Sequence, residues 1–170
     1  MQNLLDDSRK RSKSILEHRC TPVEYFDIMQ RFCYLFGEMI QHIDAVCAIE
    51  NGGSIPARMI ADMYNKPCYS IDKKNEINYI FTSNNNYRID DSVDNDIRKE
   101  YKTIALIDDV IDTGKEIERA EKVLQNMGKE YYIFTLFIKP WNKFACMSTH
   151  GVHFVEQRNE WIVLPWESHQ

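Results

Sequence analysis

The chain lacks CxxC pairs, cysteine and histidine patterns at metal-ligating spacing, and any apolar run long enough to span a membrane. Its five cysteines are odd in number and scattered through 170 residues, which favours reduced thiols over a disulfide framework. Met1 is followed by a polar, charged segment instead of the apolar core of a signal peptide. We therefore expect an intracellular, cytoplasmic protein with no membrane partner.

An excess of basic residues is also missing, because the formal net charge is -5 at pH 7. Phosphate backbones are bound by clustered lysine and arginine, so this charge argues against a general nucleic-acid surface. The short basic run at residues 9–13 is most simply a solvated helix face. We expect no nucleic acid partner.

What the chain does contain is an alternation of strand-like and helix-like segments, which predicts an α/β fold with a doubly wound, mainly parallel sheet flanked by helices. The length fits a single domain. Within it we distinguish an N-terminal arm (residues 1–20), a polar insertion (72–102) and a C-terminal region (139–170). A helix is expected to begin after Thr21, and its core face is predicted to consist of Phe26, Met29, Cys33, Phe36 and Ile40.

The most informative segment joins an apolar run to acids and a turn. Residues 104–107 are apolar and predict a buried parallel strand, which leads into Asp108 and Asp109. Asp112 and the turn Thr113-Gly114 follow, and a helix is predicted from there with helical apolar spacing. Ligands of such sheets bind at the carboxyl ends of the strands, and helix N-termini attract anions. The segment therefore predicts a sugar-phosphate site.

This segment resembles the signature of the type I phosphoribosyltransferases. The resemblance implies that Asp108 and Asp109 hold the ribose hydroxyls of 5-phosphoribosyl-1-diphosphate and contact Mg²⁺. It implies that Asp112 acts as the general base. The 5′-phosphate would be bound by the turn that follows, which comprises Thr113, Gly114, Lys115 and Glu116.

A second glycine turn follows the apolar strand predicted at residues 45–49. Asn51, Gly52 and Gly53 lie there, and adjacent glycines let backbone amides approach an anion closely. The segment 52–57 is similar to the diphosphate loop of the xanthine-guanine branch of the family. That branch commonly has an arginine where this chain has Asn51, although Arg58 lies one turn into the next helix.

The C-terminal region resembles the base-binding part of the xanthine-guanine and hypoxanthine phosphoribosyltransferases. By this resemblance Lys139 donates to the exocyclic oxygen of a 6-oxopurine, Trp161 stacks on the ring and the Ile162 backbone contacts its other edge. Glu167 falls where the family places a carboxylate near the magnesium diphosphate. The insertion 72–102 corresponds to a flexible lid or hood, with Lys73, Lys74 and Arg88 as cations.

Together these resemblances imply a magnesium-dependent purine phosphoribosyltransferase of purine salvage, whose partners are phosphoribosyl diphosphate and a purine base. They also imply a homo-oligomer, either a dimer or a tetramer.

Glu116 departs from the signature, because the family usually has Thr or Ser there and a carboxylate repels phosphate. Alternatively, Thr113 and Glu116 form a capping box at the start of the helix. The departures at Asn51 and Glu116 leave two other functions open. One is an enzyme of this fold that acts on a less phosphorylated ribosyl or nucleoside ligand, and the other is a non-catalytic regulator that senses phosphoribosyl compounds.

Overall fold

The computed structural model describes residues 16–81, 99–141 and 151–167. Three helices lie in these ranges: α1 (Pro22–Gln41), α2 (Ser54–Tyr64) and α3 (Lys115–Asn126). The strands are β1 (Glu17–Arg19), β2 (Ala45–Ile49), β3 (Cys68–Ile71), β4 (Ile77–Phe81), β5 (Thr103–Ile111), β6 (Glu130–Ile138), β7 (Val152–Gln157) and β8 (Trp161–Val163). No helix in the described ranges is long and apolar enough to cross a membrane.

Six strands form one twisted sheet in the order β4-β3-β2-β5-β6-β7. All neighbouring strands are parallel except β4, which runs antiparallel to β3 at one edge. Every residue of β2 is buried, and so is most of β5, because helices or loops cover both faces of the centre of the sheet. The predicted α/β architecture with a mainly parallel sheet is confirmed.

The two core clusters lie on opposite faces of this sheet. One packs α1 and α2 against β2, β5 and β6, and its centre includes Phe32, Ile60 and Phe134. The other packs α3 against the opposite face through Ile117, Leu124 and their neighbours. Two such layers bring the amino ends of α2 and α3 to the same edge of the sheet, beyond the ends of β2 and β5.

The core face predicted for α1 is wrong in part. Phe26 is 61% exposed and Cys33 is only half-buried, whereas Tyr25 and Phe32 are buried beside the correctly predicted Met29. Apolar side chains occur all around this helix, so their spacing alone is compatible with two neighbouring core faces. The packing of the sheet selects the one that contains Tyr25.

The N-terminal arm contains a strand that its composition does not predict. Residues Glu17–Arg19 form β1, which pairs in parallel with β8 in a separate two-stranded sheet. The first residue after β1 extends the pairing, because the Cys20 N–H donates to the Val163 carbonyl at 2.9 Å. Three polar residues carry no strand pattern of their own, so only the partner strand makes this segment extended. The rest of the arm, residues 1–15, lies outside the described residues.

The polar insertion begins as part of the sheet. β4 follows a turn in which the Asp72 carboxylate accepts from the N–H groups of Lys74 and Glu76, both at 2.8 Å. Lys73 and Lys74 are exposed in this turn. Residues 82–98, including Arg88 and most of the predicted lid, lie outside the described residues.

Candidate active site

Two acids lie side by side in the carboxyl-terminal part of β5. Asp108 and Asp109 are 5% and 8% exposed, respectively. Each carboxylate accepts from the next backbone N–H, because Asp108 Oδ1 lies 3.0 Å from the Asp109 nitrogen and Asp109 Oδ1 lies 2.7 Å from the Val110 nitrogen. The hydroxyl of Thr135 on β6 lies 3.1 Å from the Asp109 carbonyl. Local hydrogen bonds and the neighbouring strand therefore hold both acids in place.

The glycine turn after β2 packs directly on these acids. A Cβ atom added to Gly52 would lie 2.4 Å from both carboxylate oxygens of Asp109. One added to Gly53 would lie 2.4 Å from the Ile107 carbonyl oxygen and 3.0 Å from the Cα of Asp108. Gly53 faces backbone atoms of two central strands, so that position requires glycine, whereas a side chain at position 52 would have to displace the Asp109 carboxylate. The turn and the acid pair form a single site.

The residues that precede the glycines also join the loop to the sheet. The Glu50–Asn51 peptide bond is cis. The buried hydroxyl of Ser70, on β3, donates to the Glu50 carboxylate. Asn51 is exposed, and its carbonyl accepts from the Ser54 N–H at 3.3 Å. Arg58 points to a local partner, because its Nε lies 3.3 Å from Asp62 Oδ2 one turn further along α2.

Burial and crowding of negative charge change how the acids titrate. Burial, followed by the charge of Asp109 and a smaller effect of Glu116, raises the pKa of Asp108 well above its usual value. Burial also raises the pKa of Asp109 to about 6, and the charge of Glu167 contributes to that increase. Four carboxylates thus share one region, and a bound cation would relieve their mutual repulsion.

The turn after β5 does not form the alternative capping box. Helix α3 begins at Lys115, and its N-cap is Gly114, which has a φ of 79° and provides no side-chain cap. The Thr113 hydroxyl accepts from the Lys115 N–H at 3.4 Å, not from the Glu116 N–H. The glycine carries the left-handed backbone that a capping threonine would not adopt easily. Glu116 is exposed in the first turn of α3 and adds negative charge near Asp108.

A second group of residues gathers beyond the ends of β5 and β6. Lys139 is 2% exposed, and its ammonium group donates to the Glu160 carbonyl, the residue before Trp161. Burial lowers the pKa of Lys139, while the charges of Asp112 and Glu160 oppose that change. Trp161 is 53% exposed, so its ring is available to a ligand. Ile162 is buried, and in β8 it is paired with His18 of β1.

One residue of this group was missed from the sequence. The indole Nε1 of Trp141 donates to Asp112 Oδ1 at 3.2 Å, and the Trp141 ring lies 5.9 Å from Lys139 Nζ. Trp141 is 51% exposed at the end of the described range. Its position in the sequence could have identified it. Trp141 lies two residues after Lys139, and both residues follow β6 at the carboxyl edge of the sheet.

A further omission is Tyr25 on α1. Its side chain is 5% exposed, and its ring meets Trp166 edge to face at a centroid distance of 4.9 Å. Its hydroxyl is buried without a hydrogen-bond partner among the described residues. Burial and then the charge of Asp109 raise the pKa of Tyr25. Nothing in the local sequence distinguishes this tyrosine from an ordinary core aromatic.

The predicted metal ligands come near one another without forming a ready-made cage. Glu167 Oε2 accepts from the Leu164 N–H at 2.9 Å, and the charge of Glu167 contributes to the raised pKa of Asp109. No cluster of three or more metal-ligating side chains is present in the part of the chain that the structure describes. Carboxylate oxygens suit Mg²⁺, which is commonly bound by one or two carboxylates together with substrate phosphates. The donor set fits that mode of binding.

The strand order, the glycine turn and the acid pair together define the fold of the type I phosphoribosyltransferases. No family model matches the sequence, and no curated protein matches it. The chain is similar to a solved xanthine-guanine-hypoxanthine phosphoribosyltransferase from Helicobacter pylori, with 20% identity over 89% of this chain and 93% of that one and a TM-score of 0.66.

Two further solved structures are similar. The purine phosphoribosyltransferase from Pyrococcus horikoshii Ot3 has 22% identity over 89% of this chain and 93% of that one, with a TM-score of 0.64. The orotate phosphoribosyltransferase from Aeropyrum pernix has 18% identity over 81% of this chain and 72% of that one, with a TM-score of 0.60. The predicted fold is confirmed, and enzymes of this fold act on different bases.

Proposed function

We propose that this protein is a purine phosphoribosyltransferase that transfers the phosphoribosyl group of 5-phosphoribosyl-1-diphosphate to a 6-oxopurine. The observation that carries the proposal is the contact of Gly52 with the Asp109 carboxylate and of Gly53 with the backbone of Asp108. This contact joins a turn of the type that binds diphosphate to acids of the type that hold ribose hydroxyls. A donor that carries both groups would fill the two subsites at once.

The other end of the donor is proposed to lie at the turn after β5. The backbone N–H groups of Gly114 and Lys115 open α3, and helix N-termini stabilise phosphate. The 5′-phosphate would therefore bind there, between the acid pair and the helix. The negative charge of Glu116 weakens this subsite, so we expect a modest affinity for the donor.

The base is proposed to bind beyond the ends of β5 and β6. Lys139 connects the residues of this subsite. Its ammonium group donates to the carbonyl of the residue before Trp161, and it interacts electrostatically with Asp112. A buried ammonium suits the carbonyl oxygen of an oxopurine, and an exposed indole suits a flat ring. The similarity to a purine and to a xanthine-guanine-hypoxanthine enzyme supports this choice of base.

In the reaction that we propose, a purine nitrogen forms a bond to C1 of the ribose while the bond from C1 to the diphosphate breaks. Asp112 accepts the proton that the purine nitrogen loses. Asp108 and Asp109 orient the ribose hydroxyls, and the Gly52 amide holds the leaving diphosphate, since the Gly53 N–H donates to the Ile49 carbonyl at 3.0 Å. Positioning and electrostatics of this kind are the main sources of catalysis when the transition state is loose.

Mg²⁺, when bound, neutralises the charge of the diphosphate. Asp109 and Glu167 would hold it together with substrate oxygens, and Asp108 would act through the ribose hydroxyls and the shared charge of the pair.

The test incubates the protein with Mg²⁺, phosphoribosyl diphosphate and one base at a time, and follows nucleotide formation by chromatography. We expect product with hypoxanthine, guanine or xanthine, and none with orotate. Asp112→Asn should reduce turnover about 10²-fold or more and leave donor binding largely intact. Asp27→Asn is the matched control, because Asp27 is an exposed acid on α1. Folded protein that forms no nucleotide with any base would refute the proposal.

One observation favours a second candidate function. Glu116 is exposed in the first turn of α3, where it adds negative charge beside the proposed 5′-phosphate subsite. The ligand would then be a ribosyl compound or nucleoside without that phosphate. Replacing Glu116 with Thr separates the two functions. A lower KM for the phosphorylated donor favours the transferase, and loss of activity toward a nucleoside favours the alternative.

A further inference from the structure

Trp141 contacts two of the three residues that the proposed function assigns to the purine, Asp112 through a hydrogen bond and Lys139 through its ring. Its indole N–H donates to Asp112 Oδ1 at 3.2 Å, and its ring lies 5.9 Å from Lys139 Nζ. In the proposed reaction, a ring N–H of the base donates to Asp112 and a ring carbonyl accepts from Lys139. The inference that follows rests on this proposed function.

The indole of Trp141 is also similar to a purine in shape. Indole and purine are both flat, fused five- and six-membered rings with a ring N–H donor at the five-membered ring. Lys139 is fixed by its bond to the Glu160 carbonyl, so the ammonium group has a set position next to the indole. A base that donates to Asp112 Oδ1 from the side of Lys139 takes the place of the indole N–H.

Trp141 is also free to leave. Its side chain is 51% exposed, whereas Lys139 beside it is 2% exposed. A half-exposed ring has little buried apolar surface to lose when it turns away. Its bond to Asp112 is the main contact that keeps it in the subsite among those that the structure describes.

We propose that Trp141 occupies the base subsite of the empty protein as an internal competitor, and that an incoming purine displaces its indole from Asp112. The apparent affinity for the base is then lower than the intrinsic affinity, because only the molecules in which the indole has left Asp112 can bind the base. The displacement also favours bases that present both a ring N–H and a carbonyl. Only such a base replaces both the hydrogen bond that Asp112 accepts from the indole and the contact that Lys139 makes with the ring.

The first experiment measures the KM for hypoxanthine at saturating Mg²⁺ and phosphoribosyl diphosphate. Trp141→Phe keeps an aromatic ring but removes the N–H donor, and Trp141→Ala removes both. We expect the KM for the base to fall about three- to tenfold in both variants, since one hydrogen bond to a charged group is lost from the competing state. The KM for the donor should stay the same. Tyr34→Ala is the control, because Tyr34 is 89% exposed on α1. An unchanged or higher KM for hypoxanthine in Trp141→Phe would overturn the inference.

The second experiment observes the indole directly. Protein labelled with 5-fluorotryptophan gives one ¹⁹F resonance for each tryptophan, and Trp141→Phe identifies the resonance of Trp141. Titration with inosine monophosphate, which places a purine in the subsite without turnover, should shift that resonance. A resonance of Trp141 that stays in place while the nucleotide binds and turnover is normal overturns the inference alone. If no base yields nucleotide, the proposed function is refuted and the inference with it.

Discussion

The proposed ribose side and the proposed base side of the candidate site lie at the same edge of the sheet, but their residues are held in different ways. On the ribose side, Asp108 and Asp109 are buried and the backbone of Gly52 and Gly53 packs on them. On the base side, Trp141 and Trp161 are about half-exposed, and the Trp141 indole is bonded to Asp112. One side is built from interlocked backbone and the other from side chains at strand ends.

This difference corresponds to what each side has to recognise. The phosphoribosyl group is named in both the purine and the orotate enzymes of this fold, whereas the base differs between them. Backbone packing leaves little room for substitution, because any added atom clashes with a neighbouring strand. Exposed side chains at strand ends can change without disturbing the core. We therefore expect mutations on the ribose side to have larger effects than mutations on the base side.

The strongest test of the comparison is Gly53→Ala. Its Cβ would lie 2.4 Å from the Ile107 carbonyl oxygen and 2.9 Å from that of Ile49, and neither atom can move without moving a central strand. We expect the free energy of unfolding to fall by about 3 kcal/mol, measured by urea denaturation. Gly128→Asn is the control, because a Cβ there meets nothing within 4 Å and asparagine tolerates the positive φ. Equal losses in the two variants would mean that the turn is not tightly packed.

A second test replaces Asp109 with asparagine. The folded pKa of about 6 lies above the ordinary value of 3.8 for an aspartate, so the unfolded chain ionises first as the pH rises. Ionisation of Asp109 therefore lowers the free energy of unfolding of the wild-type protein as the pH rises from about 4 to about 6, and the loss persists at higher pH. Asp109→Asn should be more stable than wild type by about 2 kcal/mol at pH 8 in metal-free buffer, and about equally stable at pH 4.

The measurement for Asp109→Asn is thermal or urea unfolding at several pH values with a chelator present. Activity should be lost in the same variant, because the acid that we propose to orient the ribose is gone. A variant that is less stable than wild type at pH 8 would show that Asp109 is not destabilised by burial.

On the base side, Trp161→Phe should have a smaller effect. The ring is 53% exposed, so the free energy of unfolding should change by less than about 1 kcal/mol. The KM for the base should rise a few-fold, since a smaller ring stacks less well, and the KM for the donor should not change. Steady-state kinetics with each substrate varied in turn provide the measurement. A large change in the donor KM would contradict the division into two sides.

The smallest effect is expected for Tyr25→Phe. Its hydroxyl is buried without a hydrogen-bond partner among the described residues, and such a group costs free energy on folding. Removing it should leave the stability of the empty protein unchanged or raise it by up to about 1 kcal/mol. Urea unfolding measures this, with Tyr34→Phe as the exposed control. A marked loss of stability would show that the hydroxyl is satisfied by water.

Much of the fold was accessible from pattern alone. The apolar strand that becomes β2 was predicted with its observed bounds, and the helix after Gly114 was predicted as well. The strand predicted at residues 104–107 was too short, because β5 covers Thr103–Ile111 and includes both acids. β1 was not predicted, because three polar residues become a strand only when β8 lies beside them. The buried face of α1 was partly misassigned for a related reason, since apolar residues surround that helix and the sheet decides which of them it covers.

By itself, the sequence determined the candidates for the site: the acids after an apolar run, the paired glycines, and the lysine and tryptophan near the C-terminus. These are local features, since they depend on residue type and on the order of strand, turn and helix. Only the tertiary structure decided how they meet. The packing of Gly52 on Asp109 and the bond from Trp141 to Asp112 join segments from 29 to 57 residues apart. Contacts over such separations arise from the pairing of strands and have no trace in local periodicity.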